Sequence, residues 1–250
     1  MKDLNLIDFS DFYFNGYYLS DFGGVVASTD GGSLKYSLLP SRDYVTDRPY
    51  NYDGDIVFSS SLTPRVWEIP VYFEDLSNKN IRQISKWLNS DKTSYFYFKG
   101  DSIRINARLD SDSYNLLTET GLEGLTTLKF IAHDPYFYDI KPTRYTIDRI
   151  ADKYYFNQGT LTCPCVFYLT GSGDINISVI GSDGVSQSCT VKNISGGAIV
   201  NTYNMICTSQ NGDNKFNDFE GDYIQIPPGK FTLVISGALR SVIEFHGRYV

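Results

Sequence analysis

In Trp67-Glu68-Ile69-Pro70-Val71-Tyr72-Phe73, the residues Trp67, Ile69, Val71 and Phe73 share one side of an extended chain. Successive side chains of a strand point to opposite faces, so this stretch predicts a strand with one face on a core. Ile103-Arg104-Ile105-Asn106-Ala107-Arg108-Leu109 repeats the pattern with polar residues between the apolar ones. Leu128, Phe130 and Ala132 follow it, as do Ile175, Ile177 and Val179, then Phe231, Leu233 and Ile235, then Ile243 and Phe245. Half-buried antiparallel sheets produce this signature. The predicted fold class is therefore mainly β.

One segment has a different period. Between Ser77 and Asn89 the apolar residues Ile81, Ile84, Trp87 and Leu88 are spaced as on a helix. Ser77 or Asn78 is placed to cap its start, and Lys86 lies near its negative end. After it, Tyr95-Phe96-Tyr97-Phe98 and the strand from Ile103 flank Gly100-Asp101 and predict a β-hairpin. Residues 28–65 and 110–124 are loop-like. Beyond Asn157-Gln158-Gly159 the chain reads as short strands and turns, among them Gly171-Ser172-Gly173-Asp174, and fits a β-sandwich. The expected division is 1–140 and 141–250.

Composition narrows the function. The 250 residues carry 22 Lys+Arg against 29 Asp+Glu, a net charge of −7, which gives no drive toward sequence-specific nucleic acid. No stretch approaches the roughly 20 apolar residues that span a bilayer, and the broken, charged start resembles no signal peptide. The 20 Tyr, 16 Phe and 2 Trp favour strands and interfaces. Four cysteines, Cys163, Cys165, Cys189 and Cys207, are too sparse for a disulfide scaffold, and the one-residue spacing in Cys163-Pro164-Cys165 fits neither zinc nor redox motifs, so free thiols and synthesis in a cytoplasm are expected. His133 and His246 are the two histidines, each expected on a polar face, with no glycine-framed nucleophile beside them. No P-loop or dinucleotide fingerprint is present. The expectation is no enzyme: no catalytic, cofactor-binding or metal residue is assigned.

The order of motifs carries a resemblance. Phe12-Tyr13-Phe14-Asn15-Gly16 with Asp21-Phe22-Gly23 comes first, then Trp67-Glu68-Ile69-Pro70-Val71, the helix ending in Trp87-Leu88, and the Ile103–Leu109 strand. Phe130-Ile131-Ala132-His133-Asp134-Pro135-Tyr136, Phe156-Asn157-Gln158-Gly159-Thr160 with Cys163-Pro164, and Ile226-Pro227-Pro228-Gly229 complete the series. The chain resembles the distal tail protein (Dit) family of long-tailed bacteriophages, nearly end to end. It departs from the family at Tyr52-Asp53-Gly54, where arginine-aspartate-glycine is common, and has no room for the carbohydrate-binding insertions of some members.

The resemblance implies an N-terminal ring-forming β-sandwich with one α-helix and a hairpin, and a C-terminal galectin-like β-sandwich. It implies a homo-hexameric ring at the tail tip of a virion, made in the host bacterial cytoplasm. That ring joins the tail tube protein to the tail-associated tip protein, with a receptor-binding protein as a further partner, and lets DNA pass. Tyr44, Tyr50, Tyr52, Tyr95 and Tyr97 are the expected subunit contacts, on the 44–58 loop and the Tyr95–Phe98 hairpin. The alternative is a carbohydrate-binding module contacting cell-wall saccharides, with Tyr203, Phe216 and Phe219 as stacking residues; a hydrolase ranks behind both.

Overall fold

The computed structural model describes residues 7–27, 39–51, 53–110, 122–148 and 153–250. The expected loop at 110–124 lies largely outside them. The chain divides into two compact units, Met1–Phe137 (with Val250) and Tyr138–Tyr249.

The first unit holds β1 (Asp8–Phe14), β2 (Tyr17–Tyr18), β3 (Gly24–Val26), β4 (Arg42–Asp47), β5 (Ile56–Leu62), β6 (Arg65–Phe73), α1 (Asn78–Leu88), β7 (Ser94–Lys99), β8 (Ile103–Leu109) and β9 (Gly124–Ala132). Seven of these strands run antiparallel in the order β2-β1-β7-β8-β9-β6-β3. The strand β8 is the corner: Ile105 to Ala107 pair with β7, whereas Arg108 and Leu109 pair with Ile131 and Phe130 of β9. Alternation does the rest. Phe12, Phe14, Phe96 and Phe98 turn inward from one side, and Ile69, Val71, Phe73, Leu128, Phe130 and Ala132 from the other. Their rings meet at edge-to-face distances, Phe14 to Phe130 at 5.1 Å and Phe12 to Phe130 at 5.6 Å.

The helix closes this core with Ile84, Trp87 and Leu88, while Ile81, expected inside, is 37% exposed at the rim. The Ser77 side chain accepts from the Asn80 N–H and caps the start. Two reciprocal bonds pin the other end. Trp87 Nε1 donates to the Phe14 carbonyl at 2.6 Å, and Asn15 Nδ2 donates to the Trp87 carbonyl at 2.7 Å. The first motif and the end of the helix thus satisfy each other's buried backbone groups. In the same way Arg65 Nε donates to the carbonyl of Pro135, and its guanidinium lies 4.9 Å from the Phe137 ring.

The expected loop at 28–65 contains structure. Arg42–Asp47 and Ile56–Leu62 pair antiparallel from Arg42↔Leu62 to Asp47↔Ile56, with Phe58 bulged out of register. Sequence alternation does not reveal this hairpin because neither face is buried: every residue of β4 is exposed, as are all of β5 but Leu62.

The second unit, together with the boundary residue Phe137, holds β10 (Phe137–Asp139), β11 (Thr143–Asp148), β12 (Lys153–Asn157), β13 (Cys163–Gly181), β14 (Ser186–Asn201), β15 (Ile206–Ser209), β16 (Phe219–Gly221), β17 (Gln225–Ile226), β18 (Gly229–Phe245) and β19 (Arg248–Tyr249). Three strands dominate, β13 of 19 residues, β14 of 16 and β18 of 17. They are folded, not straight. Phe231 and Phe245 stand at the two ends of β18, which would separate them by about 46 Å if extended. Their ring centroids are 6.2 Å apart. Each long strand therefore bends and supplies both layers of one sandwich, with Cys165, Phe167 and Leu169 on one half of β13 facing the same core as Ile175, Ile177 and Val179 on the other.

The bend replaces an expected turn. Gly171-Ser172-Gly173-Asp174 does not reverse the chain; it lies within β13, at the register shifts against β14 and β18. Glycine is required where the strands cross. Gly237 has φ +85°, and a Cβ there would strike the Asp174 carbonyl oxygen. Elsewhere Asn157 ties two motifs together. Its Nδ2 donates to the Pro227 carbonyl at 3.1 Å, and its Oδ1 accepts from the Gly159 N–H at 2.9 Å.

Candidate assembly surface

Burial sorts the expected contact residues. Tyr44 lies on β4 and Tyr50 at the tip of the β4–β5 arm, where Tyr50 is 95% exposed. Tyr52 lies outside the described residues. Val45, Val57 and Phe58 add apolar surface to the same arm, each more than half exposed. The two strands pair with each other and, among the described residues, with no other strand. Among the described residues this ribbon presents two unpaired strand edges together with exposed apolar side chains, features that mark candidate partner surfaces.

Tyr95 and Tyr97 lie elsewhere, on the outer face of β7, since Phe96 and Phe98 take the inner one. Tyr95 is half exposed, with the Arg104 guanidinium 3.6 Å from its ring centre. Tyr97 is committed internally. Its ring stacks on Tyr13 at 4.7 Å, and burial together with a hydrogen bond to Tyr18 pushes its hydroxyl well above the usual phenol range. The four described tyrosines thus divide into an arm, with Tyr44 and Tyr50, and a sheet face, with Tyr95 and Tyr97.

His246 and the four cysteines are engaged in the fold. The imidazole Nδ1 of His246 lies 2.7 Å from the Asp139 carbonyl oxygen, and the Asp139 carboxylate accepts from the Gly247 N–H and the Tyr249 hydroxyl, both at 2.9 Å. This clasp fastens the final strand. His133 is exposed. All four cysteines are free and buried. Burial pushes the thiols of Cys163 and Cys189 up to about 12 and that of Cys207 up to about 11, so they stay protonated and unreactive at neutral pH. Among the described residues no cluster of three or more His, Cys, Asp or Glu side chains is arranged to hold a metal ion. A cleft with a volume of about 30 Å³ is lined by Arg65, Trp67, Phe96, Phe98, Ile105 and Phe137. Of the residues expected to stack on sugars, Phe216 is exposed and Tyr203 partly so, but Phe219 turns its ring onto Tyr223 at 4.5 Å and packs on the core.

Residues 7–131 match the family described as "Phage tail protein N-terminal domain". A curated relative, the SPbeta prophage-derived uncharacterized protein YomH of Bacillus subtilis (strain 168), is 21% identical over 248 residues, covering 96% of this chain and 97% of the relative. Among solved structures the fold is similar to that of SPP1 Dit (gp 19.1), described as a paradigm of hub adsorption apparatus in phages infecting Gram-positive hosts. The TM-score is 0.75 at 17% identity, covering 96% of this chain and 99% of that one. A chain of the phage P2 baseplate in its activated conformation with Ca matches with a TM-score of 0.54 at 7% identity, covering 95% and 97%.

Proposed function

We propose, from the premise that this chain belongs to the phage tail protein N-terminal domain family, that it is the distal tail hub of a long-tailed bacteriophage. In this reading six copies form a ring at the tail tip, between the tail tube protein and the tail-associated tip protein, with a receptor-binding protein as a further partner. The first domain, residues 1–140, forms the ring, and the second, residues 141–250, is a galectin-like sandwich. The observation that carries the proposal is the β4–β5 arm, on a fold shared along nearly the whole chain with SPP1 Dit. Ordering residues costs roughly 1–2 kcal/mol each in backbone entropy, and the arm recovers little of that by burial within its own chain.

A ring needs a heterologous interface, two different surfaces that close after a fixed number of steps. The arm supplies one, with Tyr44 and Tyr50 as contacts, and the body of the first unit the other. Charge fits a conduit. Six copies at −7 carry 6 × −7 = −42, which repels DNA weakly instead of holding it. The protein acts without a catalytic site in this reading, and its place is the virion tail. Negative-stain microscopy of the concentrated full chain tests it: ring-shaped particles are expected, and a field of monomers with or without the tail tube protein overturns it.

A further inference from the structure

The helix α1 carries a charge pattern that the fold does not explain. Its eleven residues, Asn78-Lys79-Asn80-Ile81-Arg82-Gln83-Ile84-Ser85-Lys86-Trp87-Leu88, contain three bases and no acid, in a chain whose net charge is −7. Lys79, Arg82 and Lys86 stand at i, i+3 and i+7, one stripe on the side opposite the buried Ile84, Trp87 and Leu88. All three are exposed, and among the described residues none makes an ion pair. Lys79 sits in the first helical turn, where the helix dipole disfavours positive charge and where no acid offsets it. The nearby Asp75 carboxylate is taken up by the N–H and hydroxyl of Ser77. Lys79 therefore costs the helix stability at its first turn while Lys86 is favoured at its last, and among the described residues none of the three bases gains an ion pair.

The arm has the complementary pattern. Across residues 42–55 there are two bases, Arg42 and Arg48, against four acids, Asp43, Asp47, Asp53 and Asp55, a balance of 2 − 4 = −2. The bulge at Phe58 lies in β5, so β4 keeps its strict alternation. Asp43, Val45 and Asp47 therefore share one face of the arm, all exposed, with Arg42 and Tyr44 on the other. Four residues of strand place the two carboxylates about 13 Å apart. Seven residues of helix place Lys79 and Lys86 about 10.5 Å apart. Flexible lysine stems cover the difference, and the Arg82 stem lies between them opposite Val45.

Resting on the reading that the chain assembles with itself, we infer that the Asp43–Val45–Asp47 face of one copy's arm seats on the Lys79–Arg82–Lys86 stripe of the next copy. This pairs two different surfaces in a head-to-tail contact, as a closed ring requires. It also gives the contact a sharp dependence on salt, since the charges lie near the surface.

The test uses charge reversal in the full chain, followed by sedimentation velocity. D43K/D47K places like charges on both sides of every contact, and so does K79E/K86E. Each variant alone is expected to lose self-association by about a hundredfold, because opposed like charges cost several kcal/mol. Circular dichroism of each is expected to match the wild type, since all four positions are exposed. Mixing the two variants in equal amounts restores opposite charges at every contact of an alternating ring, so the mixture is expected to assemble where neither component does. If the wild type assembles and both variants assemble equally well, or the mixture stays monomeric, the inference fails while the ring reading stands. If the wild type never assembles, both fail. Retardation of duplex DNA by the wild type, abolished by K79E/K86E with the oligomer intact, would assign the stripe to a phosphate partner and overturn the contact.

Discussion

Replacing Gly237 by Ala tests the bend on which the second sandwich depends. Gly237 lies where β18 crosses β13, at φ +85°, with backbone atoms of Asp174 and Ile175 packed where a Cβ would go. An L-residue in the left-handed region costs about 1–2 kcal/mol. Forcing β13 and β18 apart adds about 1–3 kcal/mol, by analogy with overpacked cores. The lower entropy of the unfolded Ala chain returns about 0.4–1 kcal/mol. The net expectation is a loss of about 2–4 kcal/mol. Gly184→Ala is the control, because Gly184 has φ +80° but open space around its Cβ position. It should lose only the dihedral cost, about 1 kcal/mol after the same entropy return. Urea unfolding followed by far-UV circular dichroism separates the two, with the Gly237→Ala midpoint lower by about 1 M at ordinary slopes. Equal midpoints for the two variants would refute the claim that close strand crossing, and not backbone freedom alone, requires glycine there.

Other expectations follow from the same structure. Trp87→Phe keeps most of the apolar ring but leaves the buried Phe14 carbonyl without its indole donor, and should cost about 1–3 kcal/mol in thermal or urea unfolding. Asn157→Ala strands the Gly159 N–H and the Pro227 carbonyl, a loss of similar size that Asn157→Asp would not repair, because a carboxylate cannot donate to the carbonyl. A thiol reagent at pH 8 should label none of the four cysteines in the native protein within the time that labels all four in urea, since burial keeps the thiols protonated. Replacing residues 43–61 by a short Gly-Ser turn should move the melting temperature by no more than a few degrees, as the arm pairs with no other strand among the described residues, yet leave the chain monomeric by light scattering.

The sequence announces strands wherever one face is buried. Ile175, Ile177 and Val179 alternate with Asn176 and Ser178 because the core takes every second residue, and helical spacing at Ile84, Trp87 and Leu88 is equally local. What it conceals is set by partners distant in the chain. Gly171-Ser172-Gly173-Asp174 has the composition of a reversing turn, and only the pairing of β13 with both β14 and β18 on each side of it makes it a bend. The arm is silent for the opposite reason: with both faces in solvent, Ser59, Ser60 and Ser61 need no apolar alternation. The split between Tyr95 and Tyr97 is similarly invisible, because the two share a face and differ in what lies beside them, Arg104 for one and Tyr13 with Tyr18 for the other. The three bases of α1 stand in the sequence without an acid, and the strand pairing of β4 is what puts Asp43 and Asp47 on one exposed face of the same unit.

Native mass spectrometry of the purified full chain addresses the hub reading most directly. The account predicts a dominant species of six chains, about 170 kDa from a 28.3 kDa subunit, that dissociates as ionic strength rises. A 28.3 kDa monomer at every concentration and salt level, unchanged by the tail tube protein, would contradict it.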